Sequence, residues 1–542
     1  MAKNKVSAAP SPKVAPPPTP EPVLLLSDKQ LLTITAALAS LYFLYSKAAT
    51  GFYQQDEAAH FLSMRGFWFD PNSALGNWAK PGYKLIFALP ALLGSTFVAF
   101  CNSCFAAFAC FFAYKVAVEL KSKLPFLAFV ATATQPLWVN LSFRNYSEIV
   151  SAFLLALATW FHLRQKFHWA ALALSYVTFI RQEMYPIVGL YFLWLVWRRQ
   201  FIPALLLGVF PLLQNLWGGL VTGDPLYLVN QILNFSNEIK DAFPRQGFSH
   251  YFLMSITIFG STVVTLFVVY LAARFFEKVR GLADTDQDKN AYFLLIPTVL
   301  YFLMYCIFNS KTLEIGPSGG GNLRYLLLVS PLAGVLAVLG IEKFRASTIK
   351  SGILGVAGVF LLLVAVYMTF THNFVFLSKD QRDWMPFMGA MFTVILLIIP
   401  LHNRQYVSAF GGLLFFLAIV SVRPLKLSPE DRACQVLAYW YSEFEKTNGE
   451  KPMYLHHDMF LYYLGRTRYE FKTRPQAINE LNIKAAPKGS IIIWDSHYSY
   501  RPKLRKESLT HEYFLNRKEE YKVLEELMSE DNTFGVLVME KQ

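Results

Sequence analysis

Apolar runs of about 20 residues, each long enough to cross the hydrocarbon core of a bilayer as a helix, recur along this chain from Leu31 to Val422. Short polar breaks separate them, and roughly thirteen spans fit. Beyond the last run the pattern changes. From Pro424 to Gln542 the sequence is charged, with strand-like runs at Met453–His456, Ser490–Trp494 and Gly535–Met539. Helical patterns over Glu430–Lys446 and Glu519–Met528 alternate with those runs. The expected fold is an all-α polytopic membrane protein followed by a C-terminal soluble α/β domain of about 120 residues, a normal domain size. Ahead of Leu31 the chain is rich in Ala, Ser and Pro, without the apolar core or cleavage pattern of a signal peptide in its first 20 residues. The pattern predicts three parts: a disordered leader over 1–30, a membrane domain over 31–423 with its first outer loop at 51–83, and the α/β domain over 424–542.

Composition agrees with this division. Of the 542 residues, 54% are hydrophobic and 16% charged, too apolar for one soluble core. The net charge of +13 would suit a nucleic-acid partner, but the cations sit in short loops between apolar runs, which is the mark of membrane orientation. Lys115, Lys121 and Lys123, then Arg164 and Lys166, Arg198 and Arg199, Arg274–Arg280 and Lys343–Lys350 fall on one side, which the positive-inside rule makes cytoplasmic. The leader then lies inside, and an odd number of spans puts the C-terminal domain outside. The five cysteines include a Cys101-x-x-Cys104 pair within an apolar helix, with no second pair to complete a metal site, and read as buried small residues.

The same alternation carries the unusual polar residues to the outer side. The first outer loop opens with Gln54-Gln55-Asp56-Glu57-Ala58-Ala59-His60 and continues to Trp78-Ala79-Lys80-Pro81. Carboxylates at the rim of a membrane helix cost about 2.5–3.5 kcal/mol on the insertion scale, so their presence points to use. Four further loops, distant in sequence, add Arg144 and Glu148, Arg181 and Glu183, His250, and Asn322, Arg324 and Tyr325. One outward-facing site accounts for all of them.

Each candidate has a plain structural reading beside the chemical one. Asp56 is read as a general base with Glu57 beside it as a second catalytic carboxylate; the alternative is a solvated helix cap. Asp56 and His60, four apart on a helix face, would hold a divalent metal or would hydrogen-bond each other. Arg144 and Glu148, also four apart, would pair as a rim ion pair or line a pocket. Arg181-Gln182-Glu183 forms a charged hairpin too tight for an ordinary loop. In Gly316-Pro317-Ser318-Gly319-Gly320-Gly321-Asn322-Leu323-Arg324-Tyr325, glycines that permit close approach precede an arginine suited to binding phosphate by a bidentate fork. The alternative there is a snorkelling arginine after a plain loop. Lys80 is a second phosphate ligand. Asp56-Glu57-Ala58-Ala59-His60 matches a helicase box only superficially, since the chain holds no Gly-x-x-x-x-Gly-Lys-Ser/Thr loop.

In this order, these residues resemble the GT-C fold glycosyltransferases that use polyprenyl-phosphate sugars, including the aminoarabinose transferases and protein O-mannosyltransferases. The resemblance covers residues 31 to 345: the QQDEAAHF string, Trp78-Ala79-Lys80-Pro81, Ser142–Glu148, and Gly321-Asn322-Leu323-Arg324-Tyr325-Leu326-Leu327. It implies a GT-C-like membrane fold, an inverting glycosyl transfer with Asp56 activating the acceptor, and a donor phosphate met by Arg324, Lys80 and Arg181. An apolar cavity would hold the prenyl tail. Expected partners are a polyprenyl-phosphate-linked donor, a lipid, glycan or protein acceptor, and membrane lipids, with no nucleic acid. The expected location is a bacterial inner membrane with a periplasmic C-terminal domain, or alternatively the endoplasmic reticulum membrane, where sequons at Asn140, Asn145 and Asn234 would matter. A transporter or flippase of lipid-linked saccharides is the competing expectation, and a membrane scaffold a third. A transporter would spread its polar residues along several helices, whereas these crowd one rim.

Overall fold

The computed structural model describes residues 22–49, 55–76, 80–239, 243–316, 319–370, 393, 395, 397–399, 401–422, 426–502 and 507–542. Gln54, Trp78, Ala79, Pro317, Ser318, the leader as far as Glu21, and the stretch 371–392 lie outside the described residues.

The chain is mostly helical, with a small C-terminal sheet. Among the described residues, five helices are long and apolar enough to cross a membrane: Asp28–Ala48, Ser95–Glu119, Phe201–Thr222, Asp286–Phe308 and Leu323–Ala346. Shorter apolar helices lie between them. The first helix starts at a capping box in which Ser27 Oγ accepts from Gln30 N while the Gln30 side chain accepts from Ser27 N. Leu323–Ala346 is almost wholly buried and packs against Ser95–Glu119, Pro125–Ala133, Ser261–Val279 and Asp286–Phe308. Gly340 makes that closeness possible, because a Cβ there would stand 2.2 Å from the Leu266 carbonyl oxygen. On the periphery, Leu193, Leu205, Leu212, Leu216 and Leu220 are exposed, as lipid-facing positions require.

Two of the basic segments, Arg274–Arg280 and the one that begins at Lys343, meet through shared carboxylates. There Arg274 pairs with Glu277, Asp284 and Asp288, while Lys278 reaches Asp284 at 2.8 Å and Lys343 reaches Asp288 at 2.7 Å.

In the C-terminal part, four strands, β1 (Met453–Leu455), β2 (Ile491–Asp495), β3 (Tyr521–Met528) and β4 (Gly535–Lys541), form one sheet in the order β1-β2-β4-β3. β1 and β2 run parallel; β4 is antiparallel to both β2 and β3. Three strands and the helix over Pro429–Asn448, capped by Ser428, stand where the sequence places them. The expected helix over Glu519–Met528 is instead the edge strand β3. Its Glu, Lys, Leu and Met residues favour helix, but pairing with β4 satisfies its backbone, and an irregularity between Val523 and Glu525 absorbs the mismatch.

Near the start of the Pro429–Asn448 helix, Glu430 accepts from two histidines, His457 Nε2 at 2.8 Å and His497 Nδ1 at 2.8 Å. Burial opposes ionisation of Glu430, but His457 and His497 more than offset it and bring the carboxyl down to about 2. Burial also opposes the charge on His457, yet its neighbours Cys434 and Glu430 hold it well above the usual 6.5. Of these two, the Glu430 carboxylate carries the effect, because burial raises the Cys434 thiol and keeps it neutral. Burial lifts Asp431 to about 6.

The signs differ. The lowered Glu430 contributes stability above its ordinary 4.5, lost only as the pH falls through about 2. The raised His457 contributes below 6.5, and that is lost as the pH rises through its folded value. The raised Asp431 loses its contribution between 3.8 and about 6. Melting followed by fluorescence is therefore expected to show a higher Tm near pH 6 than near pH 8, with the difference reduced in Glu430→Gln.

Candidate active site

The Gln55–Gly66 helix carries Asp56 and Glu57 in its first turn, where the helix dipole favours carboxylates. Successive helical residues point about 100° apart, so the two acids meet different neighbours. Asp56 Oδ2 accepts from Arg324 Nη2 at 2.8 Å, and its side chain remains 36% exposed. Glu57 is wholly buried. Its carboxylate accepts from Arg144 Nη1 at 3.0 Å and from Asn145 N at 3.1 Å, while its carbonyl accepts from Asn145 Nδ2 at 2.8 Å. Asn145 Oδ1 in turn accepts from the Tyr83 hydroxyl at 2.8 Å.

From Arg324 the network runs deeper. Glu148 Oε1 stands 2.6 Å from Arg181 Nη1 and 3.4 Å from Arg324 Nε. Arg181 also pairs with Glu183, which accepts from the Tyr305 hydroxyl at 3.0 Å. Aromatic faces flank the guanidinium groups: Arg324 lies 4.2 Å from the Tyr146 ring centroid and Arg181 5.2 Å from that of Tyr325. Tyr325 itself stacks on Tyr305.

The glycine loop sets Arg324 in place. Gly321 has φ +74, and a Cβ there would fall 2.5 Å from Gln246 Cγ and 2.7 Å from His250 Nε2. His250 Nε2 is hydrogen-bonded to the Gly321 carbonyl at 2.8 Å. Asn322 caps the short 3₁₀ helix Leu323–Val329 by accepting from Arg324 N at 3.2 Å, and its carbonyl accepts from the Tyr251 hydroxyl.

Lys80 heads the Pro81–Leu92 helix in a left-handed conformation with φ 50, and Pro81 takes the first helical position, where its missing N–H costs nothing. Burial brings its ammonium down to about 8 against the pull of Glu148. For Asp56, burial raises the carboxyl but Arg324, then Lys80 and Arg501, more than offset that, and it is held below the usual carboxylate range.

The structure thus brings together Asp56, Glu57, Lys80, Arg144, Glu148, Arg181, Glu183, Arg324 and Tyr325, with His250 and Asn322 supporting the loop. Two sequence expectations change. Arg144 precedes the Ser147–Leu163 helix, so helical spacing from Glu148 does not apply, and the two pair instead with Glu57 and Arg181. His60 is buried and packs edge-on against Tyr83, while Asp56 is engaged by Arg324. Among the described residues no group of three or more His, Cys, Asp or Glu side chains is placed to hold a metal ion.

Asn145, Tyr146 and Tyr305 were not anticipated. The first two lie between Arg144 and Glu148, where their neighbours give a signal; Tyr305 sits inside an apolar span and gives none. Buried Asn145 is engaged with Glu57 and Tyr83, which leaves its sequon no room for a glycan.

No protein-family model and no curated protein matches this sequence. Solved structures do. A crystal structure of ArnT from Cupriavidus metallidurans bound to undecaprenyl phosphate matches over 95% of this chain and 98% of its own, with a TM-score of 0.59 and 11% identity. The apo state of the same protein matches over 94% and 97%, with the same TM-score and identity. The chain therefore has the ArnT-like GT-C fold expected from its first-loop acids and its late Arg-Tyr-Leu segment.

Proposed function

We propose that this protein is an integral-membrane glycosyltransferase that moves a sugar, with inversion, from a polyprenyl-phosphate donor to an acceptor on the outer face. The observation that carries this reading is the convergence of distant loops on one buried charge network, with Asp56 alone of its two first-turn acids left partly open. The fold shared with ArnT, solved with undecaprenyl phosphate bound, supports a donor of that class.

In this reading, the acceptor hydroxyl attacks the anomeric carbon and gives its proton to Asp56. The bond to the phosphate oxygen breaks, and the negative charge left on the polyprenyl phosphate is met by Arg324 and Lys80. Arg181 acts through Glu148, which it shares with Arg324. Arg324 links the two halves of the reaction. In the free site it holds Asp56 low; when a donor phosphate competes for the same guanidinium, Asp56 gains proton affinity, and the base becomes competent as the donor arrives. Glu57 fixes the helix on which Asp56 rides. About thirteen spans, a cytoplasmic leader and a bacterial inner membrane complete the proposal.

Purified protein is expected to consume one member of a panel of radiolabelled polyprenyl-phosphate sugars. Binding without consumption, together with movement of the donor across liposomes, would sink the transferase reading in favour of a flippase.

A further inference from the structure

Arg245 gathers three backbone carbonyls from the two ends of the loop that follows the Asp286–Phe308 helix. Its Nη1 donates to the Phe308 carbonyl at 2.5 Å and to that of Ile315 at 3.4 Å, and its Nη2 donates to the Gly316 carbonyl at 2.8 Å. Phe308 closes the helix, where the last carbonyls lack intrahelical partners and carry the negative end of the helix dipole. A guanidinium suits that place, because its charge is permanent and its planar fork reaches several acceptors at once.

The loop so closed has little packing of its own. Residues 311–315 are exposed, and Glu314 sits in the left-handed region with φ 47, which a non-glycine residue keeps only where its surroundings enforce it. Gly316, with φ +63, allows the chain to return, since a Cβ there would stand 2.9 Å from Phe308 Cε1.

The residues beyond Arg245 continue the seam. Gly247 N donates to the Asn309 carbonyl at 2.9 Å, and Gln246 N donates to Asn309 Oδ1 at 3.5 Å. Further along, His250 Nε2 and the Tyr251 hydroxyl hold the Gly321 and Asn322 carbonyls, with Gln246 against Gly321. The stretch 245–251 thus grips its neighbour at 308–309, at 315–316 and at 321–322. Arg324 follows two residues later, its N–H bound to Asn322 Oδ1 at 3.2 Å.

We propose that Arg245 is a positioning residue for donor binding: by tying Phe308 to Ile315 and Gly316, it sets the loop whose far end presents Arg324 to the donor phosphate. This rests on Arg324 meeting that phosphate in the proposed transfer. Arg245 acts through the backbone, whereas Arg324 acts through its own guanidinium. Without the clamp the loop samples more conformations, and a donor must order it again on binding, so the loss falls on affinity.

The test uses the full chain in detergent with undecaprenyl phosphate as the probe. Arg245→Gln is expected to raise the dissociation constant about tenfold. Because Arg245 acts through Arg324, the same substitution made in Arg324→Ala is expected to change binding less than about twofold. A full tenfold loss in that background, or no loss in Arg245→Gln alone, overturns the proposal. In transfer assays the loss falls on donor KM with kcat within about threefold of wild type, and a loss confined to kcat overturns it as well. The loop itself is read by amide hydrogen exchange, which Arg245→Gln speeds over residues 309–316 and 319–325 while the C-terminal sheet exchanges as before. Unchanged exchange in those two stretches overturns the proposal. A wild type that binds no undecaprenyl phosphate overturns the donor reading, while hydrogen exchange still decides whether Arg245 holds the loop.

Discussion

Asp56→Asn is expected to lower sugar transfer by roughly 10²–10⁴-fold, the range that a positioned general base supplies. Asparagine matches aspartate in shape, and its amide oxygen can still accept from Arg324, so the helix start and the loop after Gly321 keep their geometry. What disappears is the proton acceptor. Donor binding is expected to persist, since Arg324 retains Glu148 at 3.4 Å and Lys80 is untouched. Transfer from labelled donor, beside donor binding and a thermal melt of the same preparation, separates these effects. Full activity in Asp56→Asn would remove Asp56 from the chemistry.

Its neighbour is expected to fail in another way. Glu57→Ala removes the carboxylate that Arg144 and the Asn145 backbone N–H both address, at a place where the Glu57 and Arg144 side chains are 0% and 1% exposed. Breaking a buried pair from one side costs about 3–5 kcal/mol, because the remaining charge stays desolvated. For a protein with ordinary margins that is most of its stability. The variant is expected to melt far below wild type or to leave the membrane aggregated, whereas Glu57→Gln, which preserves one acceptor, loses less. A Glu57→Ala protein with a wild-type melt and no transfer would place Glu57 in the chemistry beside Asp56.

Much of the candidate site was legible because a charge near a bilayer is costly and therefore conspicuous. Asp56, Arg181 and Arg324 stand out against apolar surroundings, and loop sidedness gathers them before any coordinates do. Pairing was not legible. Spacing alone suggested Arg144 with Glu148, but the partner of a charge is fixed by which helices touch, and the touching of the Gln55–Gly66 helix with the Asn145 turn leaves no local trace. Tyr305 was hidden for a related reason: a tyrosine inside an apolar span has the same pattern whether it faces lipid or Glu183. In the C-terminal domain, alternation found β1, β2 and β4 but misread β3, whose residues favour helix and become a strand only because β4 offers an edge.

The apolar side chains beneath the C-terminal sheet do not stop at the domain boundary. Leu437, Met459, Phe460 and Ile493 share one buried cluster with Ala58, Phe61, Leu62, Met64 and Phe87 of the first outer loop and the helix after it. The two parts are for that reason not modular. A gene fragment encoding the last 120 or so residues would make a product with a wet hydrophobic underside, prone to precipitate, and a membrane half made without it would lose the packing that keeps its first helix turn in register. Grafting a relative's outer domain onto this membrane half would succeed only if the shared cluster travelled with it.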